Sequence, residues 1–415
     1  MSQNMHWKRK VGFGLVPIAA LFMLGECGSR TLNLAECGAI IPDARDWESM
    51  VGDSRYLWKL EPGRHQLGEE ANNATWINEL GLRSAHLPQN PRAPGEVRVL
   101  VIGDSSVYGW GQPDGATYAE QLEEELERNF SNRAFSVINL GVPGYSTEQS
   151  LRLLTDVGWR YDPQLIVVHN IFSDANIDVF QDRSALQLAD PNRDGIAGFL
   201  QNSRLYCSIY MPWAQFQAGL NQETTVNESG ETVQRVLMPG IPTGQNAAAT
   251  LEEIDQIIDI SRVPLDAYIE NLDAMRVDAE THGASMVVAP LAQEWDVNIW
   301  NVPMPEPTPD QVLPWHPYRE AQAEWATANA VPQVYLPDIF AAAAEPRAEL
   351  FTDNMHPSVV GAQIMAWAIT DLLREQPALI GLSVADIGPL PNRIRRQNVG
   401  PNGSPILPRG GPNPP

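Results

Sequence analysis

Val97-Arg-Val-Leu-Val-Ile-Gly-Asp-Ser105-Ser-Val-Tyr-Gly109 is the stretch around which the chain is organised. Five of its first six residues are aliphatic, the pattern of a fully buried strand in a parallel sheet. The strand runs into Gly103-Asp104-Ser105, and a helical pattern follows from Tyr118 to Phe130. A serine just past a central strand sits at the carboxyl edge of the sheet, where open α/β sheets bind ligands. Gly103 permits the sharp turn, and the helix that follows is expected to aim its N–H groups toward Ser105.

Outward from that strand the chain alternates. Strands are expected at Phe135–Gly141, Leu165–Asn170, Ala284–Leu291 and Gln333–Leu336. Helices are expected from Thr147 to about Trp159, at Leu251–Ile260 and Leu265–His282, around Tyr318–Asn329, and from about Ser358 to Glu375. Five strands alternating with helices predict a parallel sheet covered on both faces, the α/β class. The region at about 178–245, rich in Asp, Asn, Gln and aromatics, reads as an insertion near the site. Residues 41–95 form a small lead-in, in which Tyr56–Gly63 and Ile77–Arg83 are candidate extended pieces. Pro88, Pro91 and Pro94 mark a linker into a main domain of residues 96–376. The Pro- and Gly-rich tail, 377–415, is expected to be disordered.

A formal charge of −23 over 415 residues argues against nucleic acid and anionic membrane surfaces as partners. Part of it reads as a solvated face, since Glu120, Glu123, Glu124, Glu125 and Glu127 crowd one helix. Three cysteines, with no Cys-x-x-Cys, make neither a disulfide framework nor a zinc site. Cys27 and Cys37 can pair if the segment is exported; otherwise both are spectators. Lys8-Arg9-Lys10 precedes an apolar run from Val11 to Gly25, which suits a signal peptide or uncleaved anchor within residues 1–40. The basic residues would keep the amino end in the cytoplasm and send the rest across. The membrane is expected to be met only through this segment, and the protein to be periplasmic or anchored on the extracytoplasmic side.

Two further blocks carry chemistry. Asp353-Asn-Met-His356-Pro357 opens the final helix, and its three-residue spacing lets the Asp353 carboxylate hold the His356 imidazole. His356, the one of seven histidines with an acid at such spacing, can then take a proton from Ser105. Asn139-Leu-Gly141-Val-Pro-Gly144-Tyr-Ser-Thr147 brings a bare backbone N–H at Gly144 to the sheet edge, where an oxyanion needs donors. The Gly-x-Ser-x-Gly elbow is absent, because Val107 stands at its second glycine. His169 and Asn170 read as structural, Trp315-His316-Pro-Tyr318 as a packed loop ahead of a pocket lining, and Arg262 as the start of a surface helix ahead of a partner for an acid or a substrate carboxylate.

Together, in this order, the three blocks resemble the SGNH (GDSL-type) hydrolase superfamily, over about Val97 to Glu375. Asn78-Glu-Leu-Gly-Leu-Arg83 looks like the lead-in of its exported, often membrane-anchored branch. The resemblance implies a flavodoxin-like three-layer α/β/α sandwich with a five-stranded parallel sheet. It implies Ser105 as nucleophile, with His356 and Asp353 completing a catalytic triad, and oxyanion donors at the Ser105 and Gly144 N–H groups. The family expects Asn-Asp after the third strand; here Ser173 stands at the asparagine position, with Asn176 the alternative third donor. No metal or organic cofactor is implied. Three functions follow: a serine esterase acting on acyl groups of a carbohydrate or lipid, a polysaccharide O-acyltransferase using the same triad, and a non-catalytic glycan-binding relative.

Overall fold

Val99 to Ile102 are fully buried, as a strand flanked by neighbours on both edges and covered on both faces must be. The computed structural model describes residues 20–34, 49–66, 74–87, 91–131, 133–178, 181–190, 195–219, 222–226, 232–236, 249–297, 311–353, 355–393 and 396. The lead-in forms two antiparallel hairpins, β1 (Met50–Asp53) with β2 (Leu57–Leu60) and β3 (Gly63–Gln66) with β4 (Ala74–Ile77). Of Ile77–Arg83, expected to be extended, only Ile77 is strand, and the chain turns tightly from Asn78. The Asn78 carboxamide accepts from the N–H groups of Leu80 and Leu82 and donates to the Ser84 and His86 carbonyls.

The main sheet comprises β5 (Glu96–Ile102), β6 (Ala134–Asn139), β7 (Leu165–Val168) and β8 (Ser285–Val288), all parallel, in the order β8-β7-β5-β6. A single-turn helix, α1 (Ser105–Tyr108), follows β5; α2 (Tyr118–Asn129) leads to β6, and α3 (Thr147–Asp156) follows it. With α4 (Leu265–Thr281) before β8 and α5 (Val359–Glu375) at the end, α2 pairs with α5 on one side and α3 with α4 on the other. The result is the expected three-layer α/β arrangement.

Three expectations need correction. Among the described residues the sheet has four strands, not five: Gln333 makes only an isolated parallel bridge to Val288. Pro332 and Pro337 bracket that segment and have no N–H for a ladder, and a helix begins at Leu336. The helix that aims at Ser105 is not α2, whose first turn is occupied: Thr117 caps Glu120 N, and Gln112 Oε1 accepts from Tyr118 N (3.2 Å). Nor does disorder begin at 377, since Pro377–Ile380 is a short 3-10 turn with Ile380 buried, and Ile387 bridges Phe130. The acidic face of α2 is largely partnered: Glu120 accepts from Gly115 and Thr117, Glu123 from Val137 N, and Glu124 pairs with Arg396.

The insertion folds as helices at Asp182–Ala189, Gly195–Gln201 and Arg204–Gly219 and a hairpin of Gln222–Val226 with Thr232–Val236. A helix over residues 20–31 rests on it, with Glu26 accepting from Ser203 Oγ (2.8 Å) and Leu205 N (3.1 Å). Cys207 is disulfide-bonded and Cys27 is free and exposed, so the pairing of Cys27 is not formed. Cys37 and residues 1–19 lie outside the described residues, among which no helix is long and apolar enough to cross a membrane.

Gly141, two residues past β6, packs directly against the turn after β5. A Cβ there would lie 2.3 Å from Tyr108 N and 2.7 Å from Val107 C, both main-chain atoms that cannot swing aside. Gly141→Ala is therefore expected to cost about 1–3 kcal/mol or more, read as a shift in the urea midpoint; an unshifted midpoint would contradict this packing.

Candidate active site

Ser105 opens α1, and the side chain of its N-cap, Asp104, accepts from Ser106 N (3.0 Å). The turn ends at once, because Gly109 takes a left-handed conformation (φ 91°). Asn139, at the end of β6, donates from Nδ2 to the Val107 carbonyl (2.9 Å) and accepts from Gly141 N (2.8 Å). The turn carrying Ser105 is thus bonded to the neighbouring strand end.

From the far end of the chain, the 353–358 loop brings its groups onto Ser105. His356 Nε2 lies 2.7 Å from Ser105 Oγ, and His356 Nδ1 lies 2.6 Å from Asp353 Oδ2. Asp353 Oδ1 also accepts from the main-chain N–H of Met355 (2.9 Å) and His356 (2.8 Å). Burial pushes the Asp353 carboxyl upward, but the bond and charge of His356 and the two N–H groups outweigh it and hold the group below its ordinary value. Buried amides clamp the loop, with Gln112 Nε2 donating to the Pro357 carbonyl (2.7 Å) and Gln121 Nε2 to the Val359 carbonyl (3.0 Å). The Trp110 ring lies 5.9 Å from the His356 ring, centroid to centroid.

The remaining residues named from sequence fall as follows. Gly144 is left-handed (φ 75°). Ser173 is buried, with Oγ 3.5 Å from Asp104 Oδ2, a long contact that leaves the hydroxyl loosely held. Asn176 is half-buried, and its main-chain carbonyl accepts from Arg262 N (2.6 Å). His169 is structural as read: Nδ1 donates to the Ala289 carbonyl (2.8 Å), Nε2 faces the Tyr118 hydroxyl (3.1 Å), and burial lowers its pKa to about 4. Trp315 is buried against Phe172, but the segment read as a packed loop is the start of a helix, His316–Ala328, with Trp315 at its N-cap.

Arg262 is not at a surface. It is 7% exposed, bonds both oxygens of Asp182 (2.9 and 2.7 Å), and donates to the Gly144 carbonyl (2.8 Å). Arg83 is likewise buried and donates to the carbonyls of Tyr108 (3.2 Å), Gly109 (2.7 Å) and Gln112 (2.7 Å). Trp58 donates from Nε1 to the Pro143 carbonyl (2.9 Å). All three grip main-chain carbonyls of the blocks that carry Ser105 and Gly144. The sequence offered no sign of Trp58 in this position; Arg83 was visible only as part of a lead-in motif.

A family model for the GDSL-like lipases and acylhydrolases matches residues 101–364, so the chain belongs to that family and is a carboxylic ester hydrolase. Similar solved structures include the lipase/acylhydrolase of Enterococcus faecalis (13% identity, 71% of this chain and 100% of that one, TM-score 0.38). Another is the acetylxylan esterase Axe2 of Geobacillus stearothermophilus (14%, 69% and 95%, TM-score 0.38). No curated protein matches the sequence.

Asp174, beside Ser173, is fully buried and accepts at Oδ1 from both N (2.8 Å) and Oγ1 (2.6 Å) of Thr147, the first residue of α3. Burial, with the nearby Asp182 charge adding to it, lifts its pKa to about 8 against the bonds from Thr147. Folded Asp174 therefore holds a proton that the unfolded chain releases near pH 4. The contribution of that proton to stability is complete below the unfolded value and is lost as pH rises through about 8. Asp174→Asn keeps an acceptor for Thr147 and removes the titration. Its stability relative to wild type should rise as pH goes from about 5 to about 8, measured by urea melts; a pH-independent difference would contradict the assignment.

Proposed function

We propose that the protein is an exported serine esterase that cleaves acyl esters of a carbohydrate or lipid through an acyl-enzyme on Ser105. The supporting observation is the unbroken line of contacts from Ser105 Oγ through His356 to Asp353, at 2.7 and 2.6 Å. In this reading Ser105 Oγ attacks the ester carbonyl carbon while His356 Nε2 takes its proton. Asp353 holds the Nδ1–H tautomer and steadies the imidazolium. The N–H groups of Ser105 and Gly144 and the Ser173 hydroxyl donate to the tetrahedral oxyanion. Collapse expels the alcohol, which leaves with the proton from His356; water then repeats the sequence and frees the acid. Export is supported by the basic and apolar amino-terminal sequence and by the disulfide at Cys207, a bond that persists in oxidising compartments.

p-Nitrophenyl acetate turnover by the full chain tests the reading. Asp353→Asn should lower kcat on the order of 10⁴-fold and Ser105→Ala on the order of 10⁶-fold, and a fluorophosphonate probe should label wild type at Ser105 but not Ser105→Ala. Activity retained in Ser105→Ala would refute the nucleophile. Acylated product appearing when a polysaccharide acceptor is supplied, in place of free acid, would move the assignment to acyl transfer.

A further inference from the structure

The Gly144 N–H belongs to the Pro143–Gly144 peptide, a rigid unit whose carbonyl and N–H point to opposite sides when trans. Whatever holds the Pro143 carbonyl therefore aims the Gly144 N–H. That holder is the indole N–H of Trp58, 2.9 Å from the oxygen. Trp58 lies on β2, in the lead-in hairpin rather than in the stretch that the family model covers.

Several contacts keep the indole in place. Trp58 is buried (7% exposed), its own carbonyl accepts from Tyr145 OH (2.7 Å), and the Arg262 guanidinium lies over its ring at 5.4 Å. Its ring also floors the glycine, for a Cβ added at Gly144 would meet Trp58 Cζ2 at 3.2 Å. Leu57, immediately before it, has φ 72°, a left-handed backbone that non-glycine residues seldom adopt. Such outliers persist where the surrounding structure over-determines them.

We infer that Trp58 is a positioning residue for ester cleavage, its indole N–H both aiming and polarising the Gly144 N–H toward the oxyanion. Polarisation follows because a bond accepted at a carbonyl strengthens the donor at the other end of the same peptide. The inference rests on the oxyanion role proposed for Gly144. Its consequence is that the lead-in completes the catalytic edge of a domain to which it does not belong by sequence.

The experiment compares full-length wild type with Trp58→Phe, which keeps an aromatic floor and loses the N–H. Since the Gly144 donor remains but is less well held, kcat should fall about tenfold, less than the 10²–10³ that removal of a donor costs. KM should stay within about twofold, because the oxyanion exists only in the transition state. Affinity for a trifluoromethyl ketone, which forms a tetrahedral adduct on the serine, should fall by the same factor as kcat. Lys59→Ala, a neighbour on β2 whose ammonium pairs with Asp53 at the surface, should leave both unchanged. Should Trp58→Phe prove unstable, benzothienylalanine at position 58 preserves the shape without the donor and should show the same loss.

Unchanged kcat and ketone affinity without the indole N–H would overturn the inference alone. So would an equal loss in Lys59→Ala, which would mean general loosening of the hairpin. A wild-type protein with neither turnover nor fluorophosphonate labelling would overturn the esterase reading and this inference with it.

Discussion

A parallel sheet that ends in functional loops leaves main-chain carbonyls at its carboxyl edge, and buried carbonyls must be paired. Here two buried guanidiniums do much of that pairing. Arg83 takes three carbonyls from the segment after Ser105, and Arg262 takes the carbonyl of Gly144. A planar fork with five donors can bind several acceptors at fixed angles, which a lysine ammonium on a flexible stem cannot do. The cost is two buried charges, offset on Arg262 by Asp182, itself nearly fully buried, and on Arg83 by Asp114 nearer the surface. Such pairs contribute little net stability, since desolvation offsets their attraction. What they set is the conformation of the loops.

The contact between Ser105 and His356 spans 251 positions in sequence, so nothing local holds it. Its geometry is inherited from how the 353–358 loop is attached. Neutral amides make that attachment: Gln112 and Gln121 donate to carbonyls on either side of Ser358. Ser358 in turn caps α5, accepting from Val360 N and Gly361 N at 3.1 Å. Amides add no charge near the imidazole. The acceptor that faces its Nδ1 is the Asp353 carboxylate.

How much of this was legible beforehand depended on the range of the contact. The first four strands were readable because buried parallel strands are nearly continuous aliphatic runs, as in Val99-Leu-Val-Ile102 and Leu165-Ile-Val-Val168. The fifth was not, because Gln333-Val-Tyr-Leu336 has a strand's apolar content but is bracketed by Pro332 and Pro337 and turns into a helix at Leu336. Ser105, His356 and Asp353 were visible through short motifs with local spacing. For Arg262 pairing with an acid was one reading, but its burial and its partners were not legible, because Asp182 and the Gly144 carbonyl lie 80 and 118 positions away. Trp58 was unreadable for a related reason: its partner is a backbone oxygen, which carries no residue identity for a pattern to reveal.

That invisibility bears on where the domain ends. A two-stranded hairpin alone in water is marginal at best, so the order of β1–β2 comes from docking. Its contacts with the main domain include Trp58 on Pro143, Tyr145 on the Trp58 carbonyl, Tyr56 on Asp156 and Gln149 on the Tyr56 carbonyl. Those made by Trp58 fall on Pro143 and Tyr145, the residues flanking Gly144. The surface that stabilises the hairpin is therefore the same one that the hairpin stabilises, and loop and lead-in take their shape together. The prolines near residue 90 separate two stretches of sequence, but the packing runs across them.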